Sequence, residues 1–225
     1  MDTDEKDSTG LSPEWFARVD ESDDAVFYQT PRLVAHIDDA TIAALTDYYR
    51  EVIPAGGVVL DLMSSWISHL PDDSTYAEVV GHGMNQAELD ANPRLSERLV
   101  QNLNADPALP FADDRFDVAL IAVSVQYLTR PVEVFAELAR VLKPAGRLIV
   151  STSHRCFPTK AVRAFHVLNP MERVRLITAY FTGVDGFDAP EFIDLSPPGP
   201  PRGAPPGSST DADPLWIITA RKEAR

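Results

Sequence analysis

Lysine is nearly missing from this sequence. It stands only at positions 6, 143, 160 and 222 of 225 residues, and the formal charge is -14. A surface this negative repels phosphate backbones, which excludes a general DNA- or RNA-binding role. The bias itself has two readings: adaptation to a salt-rich cytoplasm, where surface charge is screened, or a GC-rich genome that favours Arg, Ala and Asp. Cysteine is limited to Cys156, which excludes an internal disulfide and a multi-cysteine zinc site. No apolar run approaches the roughly 20 residues that span a bilayer. The opening "MDTDEKDSTG" is acidic and polar, unlike a secretory signal or a mitochondrial presequence. Gly-x-Ser-x-Gly, the Walker loop and His-Glu-x-x-His are also missing, so nothing points to those hydrolases, NTPases or metalloproteases. The expectation is a cytoplasmic protein with no membrane or nucleic-acid partner and no metal.

What is present reads as alternating strands and helices. Residues 1–10 lack periodicity and are expected to be disordered, and residues of about 11–53 form a helical cover. Within that cover, "DATIAALTDYYREVIP" reads as a helix: Ile42, Leu45, Tyr48 or Tyr49, and Val52 recur at steps of three and four, and Pro54 ends it. Apolar runs then predict strands at "GVVLDLM", "EVVGHGM", "RLVQNLN", "FDVALIAVSV", "RLIVSTS", "EFIDLS" and "PLWIITARK". Helical patterns fall at "NQAELDAN", at "VEVFAELARVLKPAG" and across "KAVRAFHVLNPMERVRLITAYFTG", with Pro170 starting a second piece. Residues of about 197–213 are too rich in Pro, Gly and Ser for regular structure and read as a flexible loop. With no repeat and no second core, the fold class is α/β: one domain over 11–225, a doubly wound Rossmann-like sandwich. Its seven-stranded sheet is mostly parallel, with the last strand antiparallel.

Ligands of such sheets bind outside the carboxyl ends of the strands. The residues that follow the apolar runs are therefore the candidates: Asp61 to His69, Gly81 to Asn85, Asn102 to Asp106, Ser124 to Tyr127 and Ser151 to Lys160.

A resemblance sharpens these candidates. Leu109-Pro110-Phe111, Phe116-Asp117, the run from Glu137 to Pro144, and Gly146 match, in order, the middle of class I S-adenosylmethionine-dependent methyltransferases of the type-11 kind. The likeness extends more loosely from about residue 40 to the final strand, and "FYQTPRLVAHID", "VLDLMSSWISHLP" and "SHRCFPTK" resemble one subfamily of methyltransferase-like proteins. It implies S-adenosyl-L-methionine as cofactor and a small-molecule methyl acceptor as partner. The departures are specific. Aligned on Asp61, the family's three glycines are Met63, Ser65 and Ile67, and its ribose-binding acid falls on Gly83. The resemblance implies that Asp61 faces the methionine amine; in a pocket rebuilt without the glycines, Met63, Ser64, Ser65, Gly81, Asn85, Asn104, Asp106 and Ser124 would complete the cofactor site, the serine hydroxyls donating to a carboxylate or accepting from an ammonium group. His154 and Arg155 would orient or deprotonate the acceptor, and Tyr28, Arg32, His69 and Lys160 would bind it. The bland alternatives stay open: Ser64 and Ser65 cap a following helix, Trp66 is core and Cys156 packs. The rival function is a non-catalytic binding protein on the same fold that has lost its cofactor.

Overall fold

The computed structural model describes residues 11–198 and 212–224. The expected disorder of 1–10 and most of the expected 197–213 loop lie outside these. One seven-stranded sheet organises the chain: β1 Val58–Leu62, β2 Glu78–Gly83, β3 Glu97–Val100, β4 Phe116–Ala122, β5 Leu142–Thr152, β6 Glu191–Asp194 and β7 Trp216–Arg221. Its order is β3-β2-β1-β4-β5-β7-β6. The β1–β2, β2–β3, β1–β4 and β4–β5 pairs are parallel, and β7 runs antiparallel to both of its neighbours. The chain moves outward from β1 to β3 and then returns to lay β4 on the other side of β1. That reversal opens a crevice at the carboxyl ends of β1 and β4.

The helices are α1 Asp24–Phe27, α2 Asp39–Val52, α3 Gln86–Ala91, α4 Pro131–Val141, α5 Ala164–Val167 and α6 Pro170–Thr182. Strand side chains alternate between two cores. Leu60, Leu62, Ala119, Ile121, Leu148 and Val150 pack with Phe135, Leu138, Tyr180 and Phe181 of α4 and α6. Val59, Val118, Leu120 and Ile149 pack with Leu45, Tyr48 and Tyr49 of α2. Both faces of the sheet are thus buried, which is why the strand sequences read as continuous apolar runs. Local chemistry fixes the helix ends. The Asp38 carboxylate accepts the Thr41 amide at the start of α2, and Asn169 and Glu172 form a reciprocal cap ahead of Pro170.

Three expectations need correction. First, no helix follows β1; residues 63–77 are irregular, so Ser64 and Ser65 cap nothing. Second, α4 stops at Val141, and Leu142 already pairs with Phe116 in the sheet. Pro144 cannot continue a helix, and Ala145 takes φ 62 as the chain bulges before resuming register at Arg147. Third, Lys160 is fully buried and anchors the N-terminal cover. Its Nζ donates to the Ser22 carbonyl at 2.7 Å and lies 3.1 Å from the Asp24 carboxylate. The cover is pinned there by backbone bonds from Asp20 to Thr159 and from Arg163 to Ala17.

Candidate functional site

β1 ends in a turn without glycine, and Met63 itself supplies the left-handed conformation, at φ 58. A non-glycine residue costs about 1 kcal/mol there, so surrounding contacts must hold it. They do: the Ser64 amide donates to the His82 carbonyl at 2.7 Å, tying the turn to β2. This close approach explains Gly83. A Cβ at that position would stand 2.5 Å from the Ser64 carbonyl oxygen, so no acid fits where the resembled family carries one.

Asp61 is the centre of the turn. It is 2 % exposed, and the Ser64 hydroxyl donates to its Oδ2 at 2.6 Å. Among the described residues no cation pairs with it. Burial pushes its carboxyl up to about 6, while the hydroxyls of Ser64 and Ser68 work the other way. A buried carboxylate with hydroxyl donors and no counter-ion favours a cationic guest. Beside it opens a cavity of about 330 Å³. Met63, Ser64, Ser65 and Trp66 line this space rather than filling it. Trp66 is half-buried rather than core, and its indole N–H donates to the Val34 carbonyl at 3.1 Å.

The β2 side is built around a residue that the sequence reading missed. Glu88, 8 % exposed, lines the cavity from the first turn of α3. Its two oxygens accept from the Ser65 hydroxyl at 2.6 Å and the Arg32 amide at 2.7 Å. The Asn85-x-x-Glu88 spacing at a helix start was the available signal. His82 also lines the cavity; neither ring nitrogen has a partner among the described residues, and burial takes its pKa down to about 4.

Several expected cofactor residues are placed elsewhere. Asn85 caps α3 and spends its amide on the Tyr28 and Gln29 carbonyls, outside the cavity wall. Gly81 is glycine because Leu95 packs against it, 2.3 Å from any Cβ. Asp106 is exposed and accepts from the Ala108 amide, away from the cavity. Asn104 lines the cavity, but its amide group is spent on Asp24, the Tyr127 carbonyl and the Thr129 amide. Ser124 lines it too, with a buried hydroxyl that has no partner among the described residues.

The roof comes from the N-terminal cover and the segments after β4 and β5. Tyr28, Arg32, His36, Tyr127 and Phe157 line it, and Phe157 stacks on Tyr127 at 5.7 Å between ring centroids. His69 joins them at φ 56, its carbonyl held by the Thr46 hydroxyl. Burial and the neighbouring His36 take His69 down to about 4, so it is neutral near pH 7. Arg155 reaches the cavity while paired to Asp213 at 2.6 Å. His154 does not line it; half-exposed, it sits 3.2 Å from the same carboxylate. Lys160 is spent on the anchor described above. Cys156 lines the cavity, and burial pushes its thiol up, which keeps it protonated and unreactive.

Comparison with known proteins agrees with the fold. A family model described as "Methyltransferase domain" matches residues 63–150. The ubiquinone/menaquinone biosynthesis C-methyltransferase UbiE of Dinoroseobacter shibae is 36% identical over 133 residues. Residues 63–150 thus match a methyltransferase domain. The match to UbiE covers 56% of this chain and 46% of UbiE, so the chain spans about half the length of that relative. Methyltransferase GfsG of Streptomyces halstedii is 30% identical over 175 residues, covering 69% of this chain and 62% of GfsG. Among solved structures, the [4+2]-cyclase SpnF superposes with a TM-score of 0.58 at 18% identity, covering 89% of this chain and 92% of SpnF. That last likeness concerns the fold alone.

Set against the methyltransferases it resembles, the chain keeps the acid at the end of β1 but reaches the following turn by another route. Met63 adopts the conformation, Ser64 secures Asp61, and a carboxylate stands in the cavity wall at Glu88, on the neighbouring helix, rather than at position 83. Among the described residues, no cluster of His, Cys, Asp and Glu could hold a metal ion, and no helix is long and apolar enough to cross a membrane.

Proposed function

We propose that this chain transfers a methyl group from S-adenosylmethionine to a small molecule held under the N-terminal cover. The observation that carries the reading is the open cavity beside Asp61, a buried carboxylate with no counter-ion among the described residues. When bound, the cofactor supplies a methyl group already activated by its sulfonium. Asp61 would accept from the methionine ammonium group, with Ser64 keeping the carboxylate oriented. Glu88 and His82 would face the ribose hydroxyls, and Gln101, Asn102 and Leu103 would flank the base. The roof residues would hold the acceptor in line and exclude water, which is the main contribution a protein makes to this reaction. Proton removal needs no specialised base when the acceptor is already an anion.

The rival reading, a binding protein without a cofactor site, requires Met63 or Trp66 to occupy the space beside Asp61, and both side chains stand in its wall. UbiE is named for quinone biosynthesis, but the match spans less than half of it, and it supports methyl transfer without naming this chain's acceptor. The test is transfer of labelled methyl from S-adenosylmethionine into a fractionated small-molecule extract. Labelled product that depends on Asp61 supports the reading. No transfer into any fraction, with the protein folded and cofactor bound, counts against it.

A further inference from the structure

Three arginines line the cavity of a chain whose formal charge is -14, and two of them are neutralised. Arg18 Nη1 lies 2.7 Å from the Asp24 carboxylate, and Arg155 pairs with the buried Asp213. Arg32 has no carboxylate at ion-pair distance from its guanidinium among the described residues. Its Nη2 donates to the Phe27 carbonyl at 3.0 Å, and Nη1 makes only a long bond, 3.4 Å, to the Thr30 carbonyl. Its Cζ stands 4.3 Å from the Phe27 ring centre and 5.3 Å from that of Phe157. Glu88 fixes the Arg32 backbone amide, not the side chain.

This is a half-buried cation, oriented by two rings and held in a cavity wall without a counter-ion. A guanidinium so placed can take an anion without first breaking an ion pair. Other described arginines, Arg94 and Arg175 among them, also lack a carboxylate at ion-pair distance, but of the three that line the cavity Arg32 alone is left without one. The guanidinium plane is suited to the two oxygens of a carboxylate. A phosphate dianion fits less well, because one unpaired cation would face it together with the nearby carboxylates Asp61 and Glu88. The adjoining wall is aromatic: Tyr28, His36, Tyr127 and Phe157, with His36 edge-on to Phe157 at 5.2 Å. Such a wall favours a flat ring.

Building on the methyl-transfer reading, we propose that the acceptor is an aromatic carboxylate whose carboxylate group pairs with Arg32 while its ring lies along the Tyr127–Phe157 wall. Arg32 is then the residue that selects anionic over neutral acceptors.

The probes are salicylate and its neutral amide, salicylamide, titrated by calorimetry with and without S-adenosylhomocysteine, on the wild type, Arg32→Gln and Arg32→Lys. Salicylate is expected to bind the wild type more tightly than salicylamide does. Arg32→Gln should weaken salicylate about 10-fold or more and leave salicylamide within about two-fold, as loss of one charge-assisted pair requires. Arg32→Lys should restore part of the salicylate affinity, since it keeps the charge without the fork. The proposal is overturned if salicylamide binds as well as salicylate, if Arg32→Gln weakens both alike, or if neither probe binds. It is also overturned if Arg32→Gln abolishes S-adenosylhomocysteine binding, which would assign the guanidinium to the cofactor's own carboxylate. Failure of the wild type to bind S-adenosylhomocysteine counts against methyl transfer, and the salicylate pair still judges Arg32.

Discussion

Replacing Asp61 with Asn should make the ligand-free protein more stable while removing its ability to hold the cofactor. The carboxyl is buried, and desolvation raises its pKa from 3.8 to about 6. A folded-state pKa above the unfolded one means that the native protein holds the proton more tightly. The ionised form therefore destabilises the fold at neutral pH, and the penalty fades as pH falls through 6 and is gone below the unfolded value. The shift corresponds to about 3 kcal/mol at pH 7.5, an upper bound because Asn keeps only one acceptor for the Ser64 and Ser68 hydroxyls. Urea unfolding of wild type and Asp61→Asn at two pH values isolates this term, since every other titrating group is common to both. The variant should be more stable by about 1 to 3 kcal/mol at pH 7.5, with the gap smaller by about 2 kcal/mol at pH 4.5. A gap that does not change with pH, or a variant less stable than wild type at pH 7.5, refutes the placement of a buried, uncompensated carboxylate at this turn.

Other substitutions probe the scaffold. Gly83→Ala places a Cβ 2.5 Å from the Ser64 carbonyl oxygen; it should cost about 1 to 3 kcal/mol in chemical denaturation and weaken cofactor binding by displacing the turn. Ala145→Gly, at an exposed position with φ 62, should raise stability by a few tenths to about 1 kcal/mol, read as a higher thermal midpoint. Lys160→Met removes the buried ammonium that holds the Ser22 carbonyl and the Asp24 carboxylate. It should destabilise by about 3 kcal/mol and open residues 17–36 to limited proteolysis before the sheet is cut. Cofactor affinity should fall about tenfold per pH unit below 6 as Asp61 takes up a proton, measured by titration from pH 7.5 to 5.

The strands were legible because each is an apolar run bounded by turn residues, and "FDVALIAVSV" and "RLIVSTS" declared themselves as buried strands. The N-terminal limit of α6 was legible from Asn169-Pro170. The turn after β1 was not, because the missing glycines suggest a different path, while Met63 in fact keeps a left-handed backbone held by the Ser64–His82 bond. Backbone conformation at one residue is not written in that residue's identity when tertiary contacts supply the missing free energy. Glu88 escaped notice because a glutamate three residues into a helix normally serves a cap. Lys160 was misread for a related reason: lysine is seldom buried, and the carbonyls that receive it come from residues some 140 positions away. His154, Asp106 and Asn85 follow strands as expected of site residues, yet their side chains turn to Asp213, a local turn and the N-terminal cover.

The central claim is that a turn without glycine still holds S-adenosylmethionine through Asp61. Calorimetric titration of wild type and Asp61→Asn with S-adenosylmethionine and S-adenosylhomocysteine at pH 7.5 tests it most directly. The account predicts micromolar binding of both ligands to the wild type and a loss of about 100-fold in the variant, the scale of one buried ionic contact. Binding that survives the substitution, or a folded wild type that takes up neither ligand, would contradict it.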